Sequence, residues 1–137
     1  MLTTDEIRIR AVALKKTRGV YFLFYESEIV YIGQSTHIEY RLISHMSSDK
    51  VFDSYTVIEC GDIGQDELND LEADYIVEYD PVYNNGLPPN SKWATLNMLR
   101  SRIPLHTNLI KRFIKQQRIK DKNGYYRWSD FDNMPRG

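Results

Sequence analysis

The sequence predicts an α+β chain: a small, mainly antiparallel three-stranded sheet flanked by helices, followed by a small, mainly helical module with a β-hairpin. Three observations predict it. Aromatic and β-branched runs at 19–25 and 29–33 flank the polar Glu26-Ser27-Glu28, apolar spacing later switches to a helical period in two segments, and 81–92 is rich in Pro, Asn and Gly.

In chain order, Thr3-x-x-Glu6 is a capping box, and Ile7, Ala11 and Leu14 at helical spacing predict a first helix over 3–16 that braces the elements after it. "GVYFLFY" (19–25) and "IVYIG" (29–33) predict a hairpin. Ile38, Leu42 and Met46 form the inward stripe of a helix over 37–46. "VFDSYTVIEC" (51–60) is a third strand, and "GDIG" breaks the chain after it. From Gln65 to Tyr79 a second stripe of Leu68, Leu71, Tyr75 and Tyr79 predicts a longer helix, stopped by Pro81. The stretch 81–92 is the expected domain boundary, dividing 1–86 from 87–137. Beyond it, Ser91 can cap a helix carrying Trp93, Leu96 and Leu99, and Thr107 or Asn108 can open another with Ile110, Phe113 and Ile114 inward. Asn123-Gly124 between β-formers predicts a tight hairpin, and the whole segment resembles a small winged helix-turn-helix.

The charges are segregated. Residues 1–18 carry five basic and two acidic side chains, 19–89 two and fourteen, and 90–137 eleven and three, giving nets of +3, −12 and +8. A basic module attached to an acidic one suggests two jobs, with nucleic acid the partner of the second. No apolar run is long enough to span a bilayer. The start "MLTTDEIRIRAVALKK" lacks the layout of a secretory signal, which points to a cytoplasmic protein. The lone Cys60 excludes an internal disulfide and a multi-thiolate zinc site, and is expected to be a small buried hydrophobe.

Within the acidic segment the polar residues that stand out are Tyr21, Tyr31, Arg41, His45, Glu72 and Asn84. Arg41 and His45 are one helical turn apart and share a face. Tyr21 and Tyr31 lie on paired strands, and Glu72 follows Leu71 at the edge of a buried stripe, where a carboxylate can enter a cleft. Phosphodiester hydrolysis needs a proton acceptor or relay, a cation for the phosphoryl oxygens, and a metal at the departing oxygen. Taken singly, each residue has a plainer reading: strand packing for the tyrosines, a surface ion pair for Arg41 and Glu72, a turn former for Asn84. Tyr25, Tyr40, Tyr55, Tyr75, Tyr79 and Tyr83 keep that plainer reading, as do His37 and His106.

As an ordered set, residues 19–85 resemble the catalytic domain of the GIY-YIG nuclease family. "GVY" (19–21) is similar to the first half of the family motif, "YIG" (31–33) is the second half, Arg41 follows Gly33 by eight residues, and Glu72 lies in a helix that runs on to Pro81-x-x-Asn84. The chain departs from the pattern in two places: only nine residues separate the half-motifs, and Gln34 stands where some members carry a lysine. The resemblance implies that Glu72 holds a single Mg²⁺ or Mn²⁺, that Arg41 stabilises phosphoryl charge, and that Tyr21 or Tyr31 accepts the water's proton with His45 receiving it. Asn84 would orient the end of the Glu72 helix or a substrate group.

Arg100, Arg102, Lys111, Arg112, Lys115, Arg118, Lys122 and Arg127 are the candidate contacts to double-stranded DNA. The expected protein is a metal-dependent DNA endonuclease, resembling homing, mobile-element or restriction members of the family, acting as a monomer or a DNA-induced dimer. A structure-specific repair nuclease and a catalytically idle DNA-binding protein are the alternatives.

Overall fold

The computed structural model describes residues 1–12 and 17–135. Helix α1 is Thr4–Ile9, capped by the Thr3 hydroxyl, which accepts from the Glu6 amide at 3.2 Å. It is shorter than the sequence predicts and buries no residue, so among the described residues it braces nothing. Leu14 lies outside the described residues.

Strand β1 (Gly19–Tyr25) is the centre of an antiparallel sheet, between β2 (Glu28–Ser35) and β3 (Ser54–Glu59). Glu26 and Ser27 make the β1–β2 turn with φ of 49° and 69°, the left-handed backbone that a two-residue hairpin requires. β3 is shorter than predicted because only Gly19 to Phe24 of β1 pair with it, and it remains an exposed edge. Cys60, just beyond, is half-buried rather than buried, its thiol donating to the Ile58 carbonyl.

Alternation along β1 sends its side chains to two cores. Val20 and Phe22 meet Ile32 and the inner face of α3 (Gln65–Tyr79), while Tyr21 and Leu23 meet Val30 and Ile38 of α2 (Ile38–Met46). A bulge in β2, opposite the Leu23–Phe24 step, puts Val30 and Tyr31 in succession on the α2 side. Tyr31 thereby shares a face with Tyr21.

Both helical stripes are rotated from their predicted positions. In α2 the inward residues are Ile38, half-buried Leu42 and His45, whereas Met46 is 74% exposed. At about 100° per residue, position 45 returns to within about 20° of Ile38 while position 46 is about 80° away. In α3 the buried positions are Leu68, Asn69, Glu72, Ala73, Ile76 and Val77; Leu71 and Tyr75 lie half-buried beside them and Tyr79 faces solvent. Asp80 ends α3 in the left-handed conformation immediately before Pro81.

After Pro81 the chain runs along the free edge of β2. The Tyr83 amide donates to Val30 O, and the Asn84 side chain bonds both backbone groups of Ile32, accepting at 3.0 Å and donating at 2.8 Å. The edge is thus covered. Trp93 and Ala94 form β4, paired with β5 (Tyr126–Arg127), rather than opening a helix. Helix α4 (Leu96–Arg102) starts later because Thr95, not Ser91, supplies the cap, accepting from the Met98 amide. The ring of His106 caps α5 (Thr107–Gln116), which turns Ile110, Phe113 and Ile114 inward as predicted. Asn123 and Gly124 make the expected tight turn, with φ of 53° and 86°. Trp93 and Tyr125 belong to the same core as α3 and the sheet, and Trp93 Nε1 donates to Asp74. Among the described residues no helix is long and apolar enough to cross a membrane.

Candidate active site

A cleft of about 520 Å³ lies between the sheet, α2, α3 and the connector at 81–92, and Tyr21, Tyr31, Gln34, Arg41, Asn69 and Glu72 are among its lining residues. Two glycines of the strand motif allow close packing in the sheet beside it. Tyr21 pairs with Gly33 across the β1–β2 ladder, and a Cβ on Gly33 would sit 2.5 Å from the Tyr21 hydroxyl. The bare backbone there is the floor on which the phenol lies. A Cβ on Gly19 would sit 2.0 Å from the Ile58 carbonyl oxygen, so that glycine permits the close approach of β3.

The residue-level arrangement on the sheet side is tight. Tyr21 has 0% exposure as a residue, yet borders the cleft, and its hydroxyl is 2.7 Å from Nε2 of His45, itself only 3% exposed. The Tyr31 ring is 4.8 Å from the His45 ring, and Lys50 Nζ stands 5.0 Å from the Tyr31 ring centre. Burial, and then the neighbouring Tyr31, push the Tyr21 phenol well above its ordinary value; the Arg41 guanidinium beside it opposes this. Tyr21 in turn holds Arg41 firmly protonated. Burial, reinforced by Lys50 and Arg41, lowers His45 from 6.5 to about 4. At neutral pH the pair is therefore a phenol and a neutral imidazole, and with the ring proton on Nδ1 the phenol donates to Nε2.

On the α3 side, Glu72 is 9% exposed, and burial raises its carboxyl above the ordinary value while the hydrogen bond from Gln34 opposes the rise. Its Oε2 accepts from Gln34 Nε2 at 2.6 Å. A buried carboxylate at a cleft with only an amide donor on it suits a hard, oxygen-ligated cation that keeps several waters. Among the described residues no group of three or more His, Cys, Asp and Glu side chains converges.

Of the residues predicted from sequence, Tyr21, Tyr31, Arg41 and Glu72 meet at the cleft, with His45 directly behind Tyr21. Asn84 is instead on the β2 edge, tying the connector to the strand that carries Tyr31. The eight candidate DNA-contacting cations are all exposed. Three of them have partners: Lys122 pairs with Glu78, Arg102 lies over Trp128 at 5.1 Å, and Arg127 over Trp93 at 4.7 Å. Spacing and motif do not single out Lys50 or the amides Gln65 and Asn69. Lys50 is one of only two basic residues between 19 and 89, and that scarcity is the available signal.

No protein-family model matches the sequence, and no curated protein does. Among solved structures, the chain is similar to crystal structures of the GIY-YIG N-terminal endonuclease domain of UvrC from Thermotoga maritima. One, bound to its catalytic divalent cation, magnesium, aligns at 24% identity with a TM-score of 0.44, covering 60% of this chain and 99% of that one. A tyrosine-to-phenylalanine variant of the same domain aligns at 23% identity and the same TM-score, covering 60% of this chain and 98% of that one.

Proposed function

We propose that this chain is a metal-dependent DNA endonuclease of the GIY-YIG type, with 1–86 as its catalytic part and 87–137 as a basic DNA-binding part, and that it resembles the homing, mobile-element or restriction members. The observation that carries the reading is the convergence of Tyr21, Tyr31, Arg41 and Glu72 on one cleft, with Tyr21 bonded to a neutral His45 at 2.7 Å.

Glu72 is the residue that would hold the cation, Mg²⁺ or Mn²⁺. When bound, that ion supplies electrostatic stabilisation of the charge that grows on the departing oxygen. Tyr21 does not act as a pre-formed phenolate, because its environment favours the protonated phenol. What its geometry supports is a coupled shift: the phenol oxygen takes the proton of the attacking water as its own proton passes to His45 Nε2. Arg41 offers fixed donors to the phosphoryl oxygens. No covalent enzyme intermediate is needed. The exposed cations of α4, α5 and the segment after them would grip the DNA backbone.

The test is a panel of supercoiled plasmid, branched junction and single-stranded DNA, with and without Mg²⁺, using the whole chain. Wild type is expected to cleave at least one substrate only with Mg²⁺, and Glu72→Ala to bind DNA without cutting. Equal absence of cleavage by both proteins on every substrate, with binding retained, would remove the enzyme reading.

A further inference from the structure

Three side-chain amides beside Glu72 close a ring that the motif does not include. Gln34 Nε2 donates to Glu72 Oε2 at 2.6 Å and to Asn69 Oδ1 at 2.8 Å, and Gln65 Nε2 donates to Gln34 Oε1 at 2.7 Å and to Asn69 Oδ1 at 2.8 Å. Asn69 Nδ2 donates to the Pro89 carbonyl at 2.8 Å. Every hydrogen bond in this set has an assigned sense, because the ring is held between two groups that only accept. The Pro89 carbonyl forces the amino end of Asn69 toward itself, which turns Asn69 Oδ1 toward both glutamines; an ionised Glu72 demands the amino end of Gln34. No amide can flip without opposing two like ends.

From this geometry we infer that Gln34, Asn69 and Gln65 are positioning residues that fix the Glu72 carboxylate by one oxygen and leave its other oxygen for a divalent cation. The inference rests on reading Glu72 as the cation's ligand. The amide orients the carboxylate while leaving its negative charge in place. The ring also reaches the connector at Pro89, so Glu72 is anchored on two sides: by its own helix and, through two amides, by the segment that leads to the basic module.

Mn²⁺ binding to the full-length protein, measured by calorimetry and by electron paramagnetic resonance without DNA, tests this. Glu72→Gln is the control for the underlying reading: if it binds Mn²⁺ as wild type does, the ion is held elsewhere and that reading fails. With Glu72-dependent binding established, Gln34→Leu is expected to weaken Mn²⁺ affinity about tenfold or more, in the range usual for outer-shell partners. Denaturant midpoints of the metal-free proteins are measured beside the affinities, because a merely structural role would lower the midpoint of Gln34→Leu and leave the Mn²⁺ affinity of its folded form unchanged. Gln34→Leu binding within twofold of wild type overturns the inference.

Discussion

The cleft and the C-terminal surface treat their polar groups in opposite ways. At the cleft, Tyr21, His45, Asn69 and Glu72 are nearly all out of solvent, and each is tied to a named partner. On the C-terminal surface all eight candidate cations are exposed, and only Lys122 among them forms an ion pair within the described residues. Burying a polar group costs free energy unless a hydrogen bond replaces water, so a set like the cleft's persists only where each member is held in one place. Exposed cations are interchangeable and act through summed charge. The lesson is that single substitutions should be decisive in one region and small in the other.

The comparison breaks most readily at Tyr21. Removing one oxygen in Tyr21→Phe keeps the ring over Gly33 but removes the proton acceptor, and cleavage is expected to fall about 10²–10⁴-fold, the range for losing a general base. A single-turnover assay at saturating DNA reads this directly. A loss under about threefold would put the phenol back among the packing residues.

An intermediate effect comes from the charge state of His45 and is read in stability. Its value in the folded protein, about 4, lies below the 6.5 expected when unfolded, so between those values the unfolded chain binds more protons. Stability is therefore full above about pH 6.5 and declines as the pH falls toward about 4. Denaturant titrations at intervals across that window should show the decline in wild type and a shallower one in His45→Gln. Equal slopes would contradict the buried, neutral imidazole.

The smallest effects are expected on α5. Because Trp93 and Tyr125 fill the core shared with α3, cutting the chain within 81–92 would open that core, and surface substitutions are the cleaner probe. Lys111→Ala and Lys115→Ala should each weaken DNA binding only modestly and reduce the slope of log affinity against log salt by about 0.9 for each phosphate left without its cation. An unchanged slope in the double variant would take α5 out of the interface.

The fold's repeating elements are legible because strand alternation and helical period are written in side-chain type: the β1–β2 hairpin, the ends of α3, and the inward face of α5 follow from spacing alone, whereas of the second hairpin only the tight turn forms, closed by a Lys122–Tyr125 bridge while β5 pairs with β4. The motif also groups Tyr21, Arg41 and Glu72, which the fold brings to one cleft. What spacing misses is what depends on depth and on partners. It puts Met46 inward over His45 because a methionine is apolar, whereas the helix turns the imidazole to the Tyr21 hydroxyl. It assigns Trp93 to a helix because the residue's pairing partner, Arg127, is 34 residues away and leaves no local trace. The amide ring joins β2, α3 and the connector, and glutamine and asparagine in such places look like ordinary surface residues until the three segments come together in space.

The central claim is that the Tyr21 side and the Glu72 side of the cleft act on the same bond in one step, and a double-mutant cycle measures that most directly. Single-turnover cleavage would be followed for wild type, Tyr21→Phe, Glu72→Gln and the double variant under saturating DNA and Mg²⁺. Groups that work as a unit are strongly non-additive, so the double variant should be no slower than the slower single variant within about threefold. Losses that multiply in the double variant would mean that the two sides act independently, and would contradict a shared phosphodiester between them.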